Sequence, residues 1–258
     1  MTDADLALAQ RLADAAGAAI RPFFRKPFAM EAKADFSPVT EADRAAEGAM
    51  RALLAAERPD DGVIGEEYGA DRPDAGRVWV LDPIDGTRSF VAGRPIFGTL
   101  VALLEAGRPV LGLIDQPIAG ERWIGAAGKP TTLNGTAVRT RQCAAVADAH
   151  LATTGPGYFT PRSWAAFERV RVVARDTLWG GDCYNYGLLA AGHLDLVIED
   201  GLKLYDFAAL VPIVEGAGGR MTDWQGRALD AASEGKIVAA GDARLIRQAI
   251  ASLSGSIA

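Results

Sequence analysis

Two carboxylates three residues apart follow an apolar run in the first half of the chain. Residues 78–81 predict a buried strand, and Asp82 and Asp85 come directly after it, with Pro83 between them. Pro83 disfavours helical backbone for Asp82 and so holds the first carboxylate in extended geometry. Gly86 then turns the chain towards a helix start, where backbone N–H groups can bind an anion. This corner could hold a hard cation beside a phosphate; a surface turn rich in Asp and Gly is the alternative.

Two further acids stand at the ends of predicted elements. A short strand beginning at residue 63 runs into Glu66 and Glu67, of which only one can face a given site. Asp206 begins an apolar helix, where capping is the alternative role. Two unit charges ~4 Å apart repel by about 4 kcal/mol at an effective dielectric constant of ~20. A cluster of these acids therefore needs protons or cations, and two divalent cations form the clamp used in phosphoryl transfer.

Two amphipathic helices precede these motifs. The first is predicted over residues 3–24, with acids in its first turn and prolines near its end. The second is predicted over residues 40–57, where Thr40 and Asp43 have the spacing of a capping box. Capping is therefore the structural alternative to a catalytic role for Asp43. The polar residues 33–37 predict a loop, which either is ordinary solvated chain or covers the site.

The predicted architecture changes near residue 140. Before it, residues 98–105 and 109–115 predict an antiparallel hairpin, residues 122–125 a strand, and Asn134-Gly135 a tight turn. After it, elements alternate as in layered α/β proteins: strands over residues 149–153, 170–174, 194–199 and 237–241, and helices over residues 162–169, 183–191, 205–217 and 243–253. We expect two halves, 1–140 with the acid motifs and 141–258 closing the site, in one compact catalytic unit. The glycines at 216–219 predict a helix C-terminus rather than a phosphate loop.

Composition narrows the class of protein. The chain has 258 residues with a net charge of −6, and without a basic stripe nucleic acid is not an expected partner. No apolar run reaches the ~20 residues of a membrane span, and the acidic start is unlike a signal peptide, so we expect a cytoplasmic protein without a membrane partner. Cys143 and Cys183 are expected to be small buried hydrophobes. With two distant histidines and no HExxH, any metal should have oxygen ligands, which favours Mg²⁺, Mn²⁺ or Ca²⁺.

Three motifs, in this order and at these intervals, resemble the inositol monophosphatase superfamily. They are Gly65-Glu66-Glu67, Asp82-Pro83-Ile84-Asp85-Gly86-Thr87, and Tyr205-Asp206-Phe207-Ala208-Ala209, the last with tyrosine in place of the usual tryptophan. The resemblance covers almost the whole chain, including the two leading helices. It implies a mixed α/β fold arranged as a layered αβαβα sandwich, Mg²⁺-dependent hydrolysis of a small phosphate monoester, a homodimer, and inhibition by Li⁺.

The resemblance also implies a role for each motif residue. One Mg²⁺ would be held by Glu66, Asp82 and the carbonyl of Ile84, and a second by Asp82, Asp85 and Asp206. A third, weaker site would use Glu66, and Mn²⁺ could replace Mg²⁺. Thr87, oriented by Asp43, would help to deprotonate the attacking water, so the implied catalytic residues are Asp43, Glu66 and Thr87. The N–H groups of Gly86 and Thr87 would hold phosphate oxygens.

The chain departs from the inositol phosphatase pattern in places that bear on the substrate. Arg88-Ser89 stand where that pattern has Thr-Asn, and residues 180–192 resemble the histidinol-phosphate phosphatase branch. Histidinol phosphate carries an ammonium and an imidazole group, which an acid outside the metal set could bind. Asp182 is one candidate, although it could instead cap the helix that follows, and Glu199 is another, although it suits a sugar hydroxyl equally well.

We therefore expect hydrolysis of histidinol phosphate, with Tyr184 and Tyr186 helping Asp182 to discriminate substrates. The expected substrate-binding residues are Asp85, Gly86, Thr87, Arg88, Asp182 and Glu199. The alternatives are an inositol monophosphatase and a broad small-molecule phosphatase. A non-catalytic binding protein is disfavoured, because all the implied ligands, Asp43 and Thr87 are present.

Overall fold

The computed structural model describes residues 1–26, 30–32 and 38–255; the predicted loop at 33–37 lies outside these ranges. Within them, helices α1 to α8 span Asp3–Ile20, Glu41–Glu57, Thr87–Val91, Pro161–Arg171, Asp182–Ala190, Leu204–Phe207, Leu210–Gly216 and Ala243–Ser254. Strands β1 to β15 span Met30–Ala32, Pro38–Thr40, Gly62–Gly65, Gly69–Asp71, Arg77–Asp85, Gly98–Glu105, Arg108–Gln116, Glu121–Ala126, Lys129–Leu133, Thr136–Ala137, His150–Thr153, Asp176–Trp179, Leu196–Glu199, Arg220–Asp223 and Ile237–Ala240.

The larger sheet has the strand order β10-β9-β8-β7-β6-β5-β3-β4. Its neighbours pair antiparallel except for β3 and β5, which are parallel. Strand β5 is buried on both faces: Val78 and Val80 belong to one core, and Trp79 and Leu81 to the other. This double burial explains why residues 78–81 are continuously apolar rather than alternating with polar residues.

The chain stacks five layers, which confirms the predicted αβαβα sandwich. Helices α1 and α2 cover one face of the larger sheet, while α5, α6 and α7 fill the space between its other face and the smaller sheet. The smaller sheet has the order β12-β11-β13-β15-β14, and α4 and α8 cover its outer face. The larger sheet ends before residue 140 and the smaller sheet begins after it; the division into two halves stays a prediction.

Two predicted helices end or break because of proline. Helix α1 ends at Ile20 rather than near residue 24, since Pro22 has no N–H with which to continue the helical ladder. The helix predicted over 205–217 is the pair α6 and α7, since Pro212 cannot donate to the carbonyl of Ala208. The C-terminus of α7 is followed by Gly218 at φ +94°, which confirms the glycines as a helix ending.

One predicted strand is wrong, and several strands among the described residues, including β4, β9, β10 and β14, were not predicted. Residues 170–174 are not a strand, because Val170 continues the buried face that Ala166 and Phe167 begin at helical spacing on α4. The edge strand is β12 instead, and β14 is an additional strand.

The tight turn at Asn134-Gly135 is confirmed, as is the burial of both cysteines. No helix among the described residues is both long and apolar enough to cross a membrane.

Candidate active site

The four acids predicted as metal ligands come together at one edge of the larger sheet. Strands β3 and β5 are parallel neighbours, so Glu66 after β3 lies beside Asp82 and Asp85 at the end of β5. Asp206 reaches the same place from α6. Carboxylate oxygens of Asp82, Asp85 and Asp206 lie within 4.8 Å of one another, and Glu66 lines the same cleft. The fold therefore brings carboxylates from three separate segments of the chain into one cluster.

Burial and mutual repulsion disfavour negative charge in this cluster. The pKa of Asp82 is well above its usual range because the side chain is buried and close to Glu66, Asp85 and Asp206. Burial is also the main cause that raises the pKa of Asp206, to about 7. No hydrogen-bond partner for Asp82 Oδ1 is found among the described residues. A crowded set of oxygen donors with one buried oxygen unsatisfied fits a hard divalent cation such as Mg²⁺ or Mn²⁺.

Thr87 begins α3 directly beside this cluster. Gly86 precedes it with φ +86°, a left-handed conformation that glycine adopts readily. The Thr87 hydroxyl lies 3.0 Å from the carbonyl oxygen of Ile84 and 3.5 Å from Oδ1 of Asp43. Asp43 is completely buried on α2. The predicted contact between Asp43 and Thr87 is thus present, with the Ile84 carbonyl as a second acceptor for the same hydroxyl.

Asp85 joins the cluster to the start of α5. Its Oδ2 accepts the backbone N–H of Cys183 at 2.5 Å, so Asp85 satisfies one of the free donors at that helix end. The capping alternative for Asp182 is wrong: Gly181 is the N-cap residue, and Asp182 is the first residue of α5, with φ +43°. The Asp182 carboxylate instead accepts from Ser89 Oγ at 3.3 Å, on the far side of Gly86.

Gly86 and Asp182 are packed against each other. A Cβ atom on Gly86 would lie 2.7 Å from Asp182 Oδ2, so only glycine fits at this turn. Burial raises the pKa of Asp182 to about 6, while Ser89 and the guanidinium groups of Arg94 and Arg88 oppose that rise. Asp182 is therefore an additional acidic group of the cleft, separate from the four clustered acids.

Glu199 lines the cleft at the end of β13, but its oxygens are already engaged. They accept hydrogen bonds from Thr154 N at 2.7 Å, Thr154 Oγ1 at 2.9 Å and Thr153 Oγ1 at 3.2 Å. Burial raises its pKa to about 8. Glu199 thus holds the end of β11 against β13, and its contact with substrate stays a prediction.

The two tyrosines expected to discriminate substrates lie on different sides of α5. Tyr186 lines the cleft, and its buried hydroxyl has no hydrogen-bond partner in the described chain. Tyr184 does not line it: its hydroxyl donates to Glu121, and its ring packs edge-to-face on Trp123, 5.4 Å between centroids. The expectation for Tyr184 was wrong because residues two apart on a helix point about 200° apart.

The complete cleft has a volume of about 230 Å³ and contains residues that sequence reasoning missed. Besides the predicted residues, its walls include Thr154, Tyr158, Lys203 and Tyr205. Tyr158 is 41% exposed, and the guanidinium carbon of Arg88 lies 5.4 Å from the centroid of its ring. No motif marked Tyr158 or Thr154, since both follow β11 and reach the cleft only through the packing of the smaller sheet. Tyr205 was visible as the tyrosine variant of its motif.

Comparison with known proteins agrees with this geometry. Residues 2–257 match the model of the Inositol monophosphatase family. The chain is 50% identical to the Arabidopsis thaliana bifunctional phosphatase IMPL2 over 96% of this chain and 74% of that protein, and 38% identical to a histidinol-phosphatase of Chlorobaculum parvum over 86% and 87%. A solved structure of an inositol monophosphatase from Zymomonas mobilis superposes with a TM-score of 0.91 at 59% identity, covering 98% of both chains.

Proposed function

Because the chain belongs to the inositol monophosphatase family and is a phosphoric monoester hydrolase, we propose that its substrate is histidinol phosphate. The observation that carries this proposal is the position of Asp182. Its carboxylate borders the same cleft as the acid cluster, directly beside the turn at Gly86, yet it is not one of the four clustered acids. Histidinol phosphate has a phosphate at one end and cationic groups at the other. The acid cluster would bind the phosphate through divalent cations, and the Asp182 carboxylate would bind the cationic groups.

The relatives divide between two activities. Proteins named histidinol-phosphatase match this chain at 37–38% identity, whereas the Zymomonas mobilis structure at 59% is titled an inositol monophosphatase. Inositol monophosphate is therefore the second candidate. The cleft favours the first, because its lining contains Asp182 in addition to the four clustered acids, and the hydroxyl groups of a neutral polyol offer that carboxylate no cationic partner.

In the proposed mechanism, Glu66, Asp82, Asp85, Asp206 and the carbonyl of Ile84 would hold Mg²⁺, or Mn²⁺ in its place. When bound, these ions supply Lewis-acid stabilisation of the phosphate charge and lower the pKa of the attacking water. The N–H groups of Gly86 and Thr87 would orient phosphate oxygens. As water attacks phosphorus, the Thr87 hydroxyl would accept its proton and pass its own to Asp43, while the bond between phosphorus and the ester oxygen breaks. The released alkoxide would take a proton from solvent water, and Asp43 would return its proton to the solvent.

Arg88 and Tyr158 would form the outer wall of the cleft, where the organic part of the ester enters. Their cation–π contact holds the guanidinium group at the cleft mouth, close to the turn that orients the phosphate. Tyr186 would contribute to the wall of the same cleft.

The test of the proposal is a comparison of kcat/KM for histidinol phosphate and myo-inositol 1-phosphate, each with saturating Mg²⁺. We expect a clear preference for histidinol phosphate. A clear preference for the inositol ester would overturn this substrate and support the second candidate. Equal values would support a broad small-molecule phosphatase instead.

Asp182→Asn tests the residue on which the preference depends. Loss of the negative charge should raise KM for histidinol phosphate by about tenfold or more, equivalent to at least ~1.4 kcal/mol of binding energy. KM should change far less for an ester whose organic part is uncharged, such as glycerol 2-phosphate. Asp148→Asn is the matched control, since Asp148 is exposed and lies outside the cleft lining. An equal rise in KM for both esters would refute the role of Asp182.

A further inference from the structure

A second buried carboxylate lies on α2 one turn after Asp43. Glu47 is completely buried and is not among the cleft-lining residues. Its oxygens accept the backbone N–H of Glu67 at 2.7 Å, the backbone N–H of Tyr68 at 3.2 Å, and Nε of Arg51 at 2.7 Å. The two N–H groups belong to the turn between β3 and β4, which is the turn that carries Glu66.

The backbone around Glu66 is held on both sides. Before it, the N–H of Glu66 donates to the carbonyl of Leu81 at 3.2 Å, which ties the turn to β5 immediately before Asp82. After it, Glu47 holds the next two N–H groups, and Arg51 donates to the carbonyl of Gly69 at the far end of the turn. Glu66 thus sits between two fixed points, one on β5 and one on α2.

The packing beside Glu66 leaves no room for a side chain at residue 65. A Cβ atom on Gly65 would lie 1.9 Å from Glu47 Oε1. The glycine of the Gly65-Glu66-Glu67 motif therefore lets the carboxylate of Glu47 approach the backbone of the turn. A buried carboxylate is costly unless it is fully hydrogen-bonded, and every acceptor contact of Glu47 described above is used to hold this turn or its partner Arg51.

We propose that Glu47 is a positioning residue: it fixes the turn that presents Glu66 and thereby sets the affinity of the acid cluster for divalent cations. The inference rests on Glu66 being a metal ligand, as in the proposed function. Side chains that orient a metal ligand commonly change metal affinity by about 10–100-fold when they are replaced. Glu47 acts here through the backbone of the ligand rather than through its carboxylate.

Glu47→Gln tests the proposal with little change of shape. The Gln amide nitrogen cannot accept a hydrogen bond, so the turn loses one of its two backbone anchors. We expect the chelator-treated full chain to bind Mn²⁺, followed by electron paramagnetic resonance, at least about tenfold more weakly. Glu57→Gln is the matched control, being the same substitution on the exposed end of α2, and should leave binding unchanged. Unchanged Mn²⁺ binding by Glu47→Gln would overturn the proposal.

A double-mutant cycle with Glu66→Gln separates positioning from a general loss of structure. If Glu47 acts through Glu66, then Glu47→Gln should have no further effect on Mn²⁺ binding in the Glu66→Gln background. If instead the two substitutions weaken Mn²⁺ binding by factors that multiply in the double variant, Glu47 acts independently of Glu66, and the proposal is overturned. Should Glu47→Gln not fold, Gly65→Ala disturbs the same contact from the other side and carries the same expectation. Failure of the unaltered chain to bind Mn²⁺ would instead overturn the metal assignment in the proposed function.

Discussion

At the scale of single residues, the hydroxyl of Thr87 has one proton and two acceptors. The Ile84 carbonyl is the nearer at 3.0 Å, and Asp43 lies at 3.5 Å. The proposed mechanism needs the proton to go to Asp43, whose complete burial keeps competing water away from it. If the Ile84 carbonyl binds a cation, it becomes a poorer acceptor, and the hydroxyl is left with Asp43 as its partner.

Thr87→Val should remove proton transfer while keeping the shape of the side chain. General acid–base groups contribute about 10²–10⁴-fold to rate, so we expect kcat to fall by at least about 100-fold with KM changed by less than about threefold. Thr87→Ser, which retains the hydroxyl, should keep most of the activity. Steady-state kinetics at saturating Mg²⁺ measure both. A Thr87→Val enzyme with near-normal kcat would show that another group moves the proton.

The residues that sequence could identify are those whose position follows from local structure. Asp82, Asp85 and Glu66 end neighbouring strands, and strand ends are visible as the limit of an apolar run. Tyr158 and Thr154 carry no such signal, because their place in the cleft depends on how two sheets pack. The expectation for Tyr184 failed for a different reason, since it treated two tyrosines on one helix as facing the same way.

At the scale of elements, two glycines let the backbone that follows Asp206 approach the larger sheet closely. Gly112 on β7 and Gly125 on β8 are directly paired across the larger sheet. A Cβ atom on Gly112 would lie 1.8 Å from the carbonyl oxygen of Ala209, and one on Gly125 would lie 2.3 Å from that of Pro212. The break between α6 and α7, at Ala209, and the first turn of α7, at Pro212, thus lie directly against the backbone of the sheet.

Gly112→Ala should therefore weaken both the fold and the metal site. The new methyl group would force the break between α6 and α7 away from the sheet, and overpacking of this kind costs about 1–3 kcal/mol. We expect a lower thermal midpoint and weaker Mg²⁺ binding, because Asp206 moves with α6. Gly48→Ala on α2 is the control, because nothing lies within 4 Å of a Cβ atom at residue 48. Alanine in a helix interior should raise the free energy of unfolding by about 0.5–1 kcal/mol, so this variant should be more stable. Normal stability of Gly112→Ala would contradict the account.

At the scale of the whole molecule, the cleft is closed by both sheets. Glu66, Asp82 and Asp85 come from the larger sheet, whereas Glu199 ends a strand of the smaller one. The five layers were expected from the resemblance of the three motifs to the inositol monophosphatase superfamily, whereas apolar periodicity predicted only individual helices and strands and their α/β alternation after residue 140. It could not predict which loops meet between them. Burial raises the pKa of acids that meet there, which links the stability of the whole molecule to pH. The proposed metal site would link it to divalent cations as well.

The chelated protein should lose stability as pH rises from about 5 to 8. Asp206 and Glu199 have pKa values of about 7 and about 8 in the fold, against 3.8 and 4.5 as ordinary values, so the folded state binds more protons than the unfolded state in this range. Each group then contributes a slope of up to about −1.4 kcal/mol per pH unit. Asp242, whose pKa is lowered to about 2, is ionised in both states above pH 5 and adds no slope.

Saturating Mg²⁺ should reverse this loss, because a cation stabilises the deprotonated cluster. At 100 times its dissociation constant a ligand adds about 2.7 kcal/mol to the free energy of unfolding, which for a chain of this size is about 5–10 °C in the thermal midpoint. Circular dichroism melts from pH 5 to 8, with EDTA and with Mg²⁺, measure both effects. Glu199→Gln should flatten the slope in EDTA and leave the Mg²⁺ shift in place, since Glu199 is outside the cluster. Identical slopes with and without Mg²⁺ would show that the acids hold no cation.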